Sequence, residues 1–116
     1  MLFKRYQLGK EGIEESQMSE VYANIVRQGA NVMIAVCDAE LLGKKLKDKN
    51  RVFDIRECFY KGQRMSVEEA IELAKRCTTA NLVGKNTVEC AKSEGIVHPD
   101  AVLLIRNIPH ALIVRV

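Results

Sequence analysis

The run Val32-Met33-Ile34-Ala35-Val36-Cys37 constrains this chain more than any other stretch. Six apolar residues, half of them β-branched, are too few for a helix and too uninterrupted for a strand with one wet face. They predict a central strand covered on both sides. Just before it, Val21, Ala23 and Ile25 alternate with Tyr22, Asn24 and Gln28, as a half-buried strand does. Gly29-Ala30-Asn31 supplies residues that tolerate turn dihedrals, so the two strands read as an antiparallel hairpin.

Ser66-Val67-Glu68-Glu69 is a capping box, with serine and Glu69 each satisfying the other's backbone amide. Val67, Ala70, Ile71, Ala74 and Cys77 then form an apolar stripe, predicting a helix to about Thr78. Asp38 is placed to cap a short helix over residues 39–46, where a carboxylate suits the positive end. Residues 51–57 alternate as a strand, and 59–64 read as a loop that leaves Tyr60 half exposed. A second long helix is expected from Asn81 to Glu94, with Asn81 as cap and Gly84 at a helix–helix corner. Residues 101–105 and 111–116 read as a C-terminal hairpin covered on both faces, and His110 as a residue locking its turn. The predicted order is β-β-α-β-α-α-β-β: an α+β single domain over 19–116, with a mixed or antiparallel sheet covered by helices. Residues 1–18 lack clean periodicity and read as an N-terminal extension.

A chain of 116 residues can bury a real core as one domain. No apolar run is long enough to span a bilayer, and the N-terminus lacks the apolar core of a secretory signal. The four cysteines, Cys37, Cys58, Cys77 and Cys90, contain no C-x-x-C pair, which removes zinc-ribbon and thioredoxin-type readings. Reduced, buried thiols and a cytoplasmic location are expected, with a disulfide left open as in hyperthermophiles.

Five of the eight residues in 44–51 are basic: Lys44, Lys45, Lys47, Lys49 and Arg51. With Tyr60, Lys61 and Arg64 in the following loop, they form a candidate nucleic-acid surface, with cations for phosphates and an aromatic for a base. The competing reading is a solvated helix end. Asn81, Gly84 and Lys85 suggest an anion cradle at a helix start, although the P-loop pattern is incomplete. Cys37, Asp38, His98 and His110 would make a nucleophile–base set if they met in space. Two histidines twelve residues apart give no close ligand pair, so no metal and no cofactor are expected.

Val36-Cys37-Asp38 with Glu40-Leu41-Leu42-Gly43-Lys44, then Phe59-Tyr60-Lys61-Gly62, Ala80-Asn81-Leu82-Val83-Gly84, Val97-His98-Pro99-Asp100-Ala101-Val102 and Pro109-His110-Ala111 occur in that order. In these motifs the chain resembles an archaeal family, the domain of unknown function numbered four-two-four, from about Ser19 to Val116. Thr87-Val88 departs from the alanine-valine common in that family. The resemblance implies a small archaeal intracellular protein with a link to RNA and translation. It marks Cys37, Asp38, Gly43, Tyr60, Gly62, Asn81, Gly84, His98, Pro99, Pro109 and His110 for scrutiny. The leading expectation is a non-enzymatic module binding RNA or the ribosome. The alternative is a small enzyme or ligand-binding protein with a Cys/Asp/Asn/His pocket.

Overall fold

The computed structural model describes residues 19–115; the expected extension over 1–18, and Val116, lie outside them. The long first hairpin is built as the alternation predicts, from β1 (Glu20–Gln28) and β2 (Asn31–Asp38), paired antiparallel. A 3-10 turn, Ala39–Leu41, leads to β3 (Lys45–Asp48) and β4 (Arg51–Asp54). Then follow α1 (Glu57–Tyr60), β5 (Gln63–Ser66), α2 (Val67–Ala74), β6 (Thr79–Val83) and α3 (Lys85–Ser93). A second 3-10 turn, Pro99–Ala101, precedes β7 (Leu103–Ile105) and β8 (Ile108–Val114).

Six strands form one sheet in the order β5-β1-β2-β6-β8-β7, and β3 and β4 form a separate two-stranded hairpin. Only β2 and β6 run parallel, so the sheet is mixed. The expected class and framework hold: α+β, a hairpin at each end, helices between, and residues 32–37 in the sheet's interior. One face packs Ile34, Val36, Ala80 and Leu82 under Ala70, Ile71, Val88 and Ala91 of α2 and α3. The other face carries a smaller core, in which Ala35, Cys37 and Val83 meet Leu41, Ile55 and Tyr60.

Five local expectations are corrected. The helix over 39–46 is a single 3-10 turn stopped at Gly43, whose φ of +85° ends helical continuation. The lysines beyond it alternate with Leu46 and Asp48, and that period of two makes them a strand. The helix expected from Asn81 begins instead at Lys85. Thr79–Val83 is a central strand, bonded to β2 on one side and β8 on the other, so Asn81 caps nothing.

The C-terminal hairpin turns at Arg106-Asn107, both left-handed at φ 53° and 65°, the pattern of a tight two-residue turn. That leaves His110 inside β8 rather than in the turn. Nor is this hairpin covered on both faces, because Leu104, Leu112 and Val114 are each about 60% exposed. Finally, Cys58 is exposed although the other thiols are buried or half-buried, and all four are free.

Candidate nucleic-acid interface and adjoining pocket

Asp38 ends β2 with its carboxylate on the helix-covered face. It does not cap the turn that follows it in sequence. It reaches 48 and 49 residues along the chain to the start of α3. Its Oδ2 accepts from Asn86 N–H at 2.9 Å, and its Oδ1 accepts from Thr87 N–H at 2.9 Å and from the Thr87 hydroxyl at 2.7 Å. Both Asp38 and Thr87 are essentially fully buried. A buried carboxylate is costly unless hydrogen-bonded, and here three donors and the positive end of a helix compensate it. Gly84 makes the contact possible: at φ +115° it is strained for any other residue, and a Cβ there would collide with the Asp38 carboxyl group. The anion cradle proposed for Asn81, Gly84 and Lys85 is thereby filled by the protein's own carboxylate. Lys85 stands exposed beside it.

Cys37, one residue earlier, points to the opposite face and is fully buried. Burial, reinforced by the charge of Asp38, pushes its thiol up to about 12, so it is not a thiolate near neutral pH. Tyr60 is buried nearby rather than half exposed, and burial pushes its phenol up to about 12 as well. His98 stays outside this region. It is exposed, and its Nδ1 accepts from Asp100 N–H at 3.0 Å to cap the second 3-10 turn. The nucleophile–base set therefore does not assemble: Asp38 is committed to α3, Cys37 is locked as a thiol, and His98 lies apart.

Three candidates do converge, Asn81, Tyr60 and His110. Cross-strand register sets Val83 opposite His110 and Asn81 opposite Leu112 on one sheet face. Leu103 of β7 lies opposite His110 on its other side. Over this floor sit Tyr60 and Phe53, and together they bound a pocket of about 350 Å³. Phe53 meets the His110 ring edge-on, with centroids 4.9 Å apart. His110 is 8% exposed, and burial pulls its imidazole below the usual histidine value, favouring the neutral ring. Its Nε2 is, among the described residues, the buried side-chain nitrogen or oxygen left without a hydrogen-bond partner. Such an orphan costs roughly 1–3 kcal/mol.

The hairpin that supplies Phe53 also carries the cations. Register puts Lys45 and Lys47 on one face with Val52, and Arg51 on the other with Phe53 and Leu46. Lys49 occupies the turn at φ 58°. Lys44, Lys45, Lys47, Lys49 and Arg51 are all exposed. Among the described residues none of them reaches a carboxylate within ion-pair distance. Arg106 adds a sixth cation, donating from Nη1 to the carbonyl of Lys47 at 3.1 Å and tying the hairpin to the β7–β8 turn. Lys61 is exposed after α1. Arg64 is a different case. It lies on edge strand β5, pairs with Glu20 and covers the Tyr22 ring, so its charge is already engaged.

Sequence reasoning missed Phe53 and Arg106 as site residues, and Thr87 as Asp38's partner. A signal existed for the first: Lys45-Leu46-Lys47-Asp48 and Arg51-Val52-Phe53-Asp54 each alternate, which marks a hairpin with one shared face. Among the described residues no three His, Cys, Asp or Glu side chains gather as a metal site, and no helix is long and apolar enough to cross a membrane.

A family model described as "Protein of unknown function (DUF424)" matches residues 26–116. The crystal structure of an uncharacterized conserved protein from Methanopyrus kandleri is similar to this chain, with a TM-score of 0.70 and 28% identity. The match covers 81% of this chain and 90% of that one. No curated protein matches.

Proposed function

The chain belongs to the DUF424 family, a family of unknown function, and from that premise we propose that it is a non-enzymatic RNA-binding module of the translation apparatus. The observation that carries this reading is the β3–β4 hairpin. Residues 44–56 hold six basic and two acidic side chains, a net +4, against +3 for the whole chain. The rest of the molecule is therefore slightly acidic, and the excess positive charge belongs to this one segment. Arg56 pairs with Asp54 at 3.3 Å, but among the described residues Lys44, Lys45, Lys47, Lys49 and Arg51 form no ion pair, so phosphates can replace their counterions, which is the main source of affinity for a nucleic-acid backbone. Lys45 and Lys47 sit two residues apart on one face, about 7 Å along the strand, and can address different phosphates.

The test is to cross-link single-stranded RNA to the protein at low salt and map the modified peptides. Cross-links concentrated on residues 44–53 support the proposal. Absence of any complex at low salt, or cross-links confined to β5 and α2, overturns it. The other reading, a small enzyme or ligand-binding protein built on Cys37, Asp38, Asn81, His98 and His110, keeps support only for Asn81 and His110, which share the pocket.

A further inference from the structure

The pocket beside the basic hairpin combines three features. Its walls are aromatic, from Phe53 and Tyr60, and its floor is aliphatic, from Val83 and Leu112. The Asn81 side chain lies within it, and among the described residues its only hydrogen-bond partner is a weak one, the Met33 sulfur at 3.8 Å. An amide so placed keeps a carbonyl and an amino group free to present side by side. Finally, His110 lines the pocket, its ring meets Phe53 edge-on, and its buried Nε2 has no hydrogen-bond partner among the described residues. Its volume of about 350 Å³ lies at the small end of ligand sites, which suits one ring system and not an extended molecule.

We propose that this pocket is a nucleobase seat, in which an unstacked base of the bound RNA slides in beside Phe53 and lies against the His110 imidazole. This deepens the RNA-binding reading and rests on it for the source of the base. Asn81 pairs with the donor–acceptor edge of the base, and ring stacking supplies affinity that tolerates different bases. Entry displaces the Phe53 ring from His110, and the base edge gives Nε2 the partner it lacks. Connectivity joins the two halves of the site. Arg51 and Phe53 share one face of the same strand, two residues or about 7 Å apart, so one nucleotide can have its base at Phe53 and its phosphate at Arg51. The floor opens to solvent at Leu112 and the neighbouring Leu103, which are 60% and 49% exposed and form the mouth.

The test titrates each of the four nucleoside 5′-monophosphates into the full chain and follows the Asn81 side-chain amide, the His110 ring and the Leu112 methyls by NMR. Saturable shifts at all three groups are expected with at least one nucleotide. Asn81→Ala should weaken that binding about tenfold. Leu112→Trp fills the mouth from an exposed position, should leave the fold intact, and should abolish the shifts at Asn81 and His110. Shifts confined to the hairpin, no saturable shift at all, or an unchanged titration in Leu112→Trp overturn the proposal. A single-stranded RNA oligomer at low salt separates the two readings. Pocket shifts with nucleotides but no oligomer binding sustain the seat and sink the RNA-binding reading. Oligomer binding without pocket shifts sinks the seat and leaves the hairpin as a phosphate clamp.

Discussion

The two faces of the sheet handle a buried polar group in opposite ways. On the helix-covered face Asp38 is enclosed, but three donors and a helix end satisfy it. On the hairpin-covered face His110 is nearly as enclosed, yet its Nε2 has no partner among the described residues. A polar group whose partners all come from its own chain holds the fold together. One that is enclosed and left unpaired, on a residue that lines a pocket, does not hold the fold together in that way. The charges divide the same way: Glu72 and Glu94 both meet Lys75 on the helical side, while among the described residues Lys45, Lys47, Lys49 and Arg51 of the hairpin form no ion pair.

This contrast breaks first, and with the largest effect, at the Asp38–Gly84 contact. Asp38→Ala strands two amides and a buried hydroxyl, and should cost about 3 kcal/mol of unfolding free energy in urea titration. Gly84→Ala should cost at least as much, because the backbone is strained and the new Cβ meets the carboxylate. Neither change should alter RNA affinity per folded molecule. On the other face, neutralising Lys45, Lys47 and Arg51 to glutamine should lower RNA affinity at least about tenfold at low salt. Thermal stability should move by no more than about 2 °C, since these exposed side chains support nothing.

Titration sharpens the comparison. Cys37 has a folded pKa raised from 9.0 to about 12, so the fold favours the protonated thiol. That stability is fully present below pH 9 and is lost as the pH rises toward 12; Cys37→Ala should flatten the decline. His110 has a folded pKa lowered from 6.5 by burial, so its contribution is present above 6.5 and lost as the pH falls below it. His110→Gln should flatten that acid decline. The smallest effect belongs to Arg64. Already engaged with Glu20, Arg64→Gln should leave RNA affinity within about twofold.

The fold was legible where pattern and partner are both local. The capping box is intact, with Ser66 Oγ accepting from Glu69 N–H at 3.2 Å, and residues 32–37 occupy the sheet's interior as their apolar continuity requires. The stretch from Thr79 to Val83 was not legible as a strand. Its five residues read equally as a helix start, and only pairing with β2 and β8, distant in sequence, decides between them. Asp38 misled for the same reason: the carboxylate suits a helix N-terminus, but the helix it caps begins 47 residues later. The pocket was half legible. Asn81, Tyr60 and His110 carried recognisable chemistry, whereas Phe53 joined them through a hairpin hidden under an apparent lysine-rich helix end.

The most direct measurement is the salt dependence of single-stranded RNA binding for the native chain and for the K45Q/K47Q/R51Q variant. A clamp made by the hairpin predicts a linear fall of log K with log salt, and a slope shallower in the variant by about 2 for three lost contacts. Equal slopes for the two proteins, or binding indifferent to salt, would contradict it.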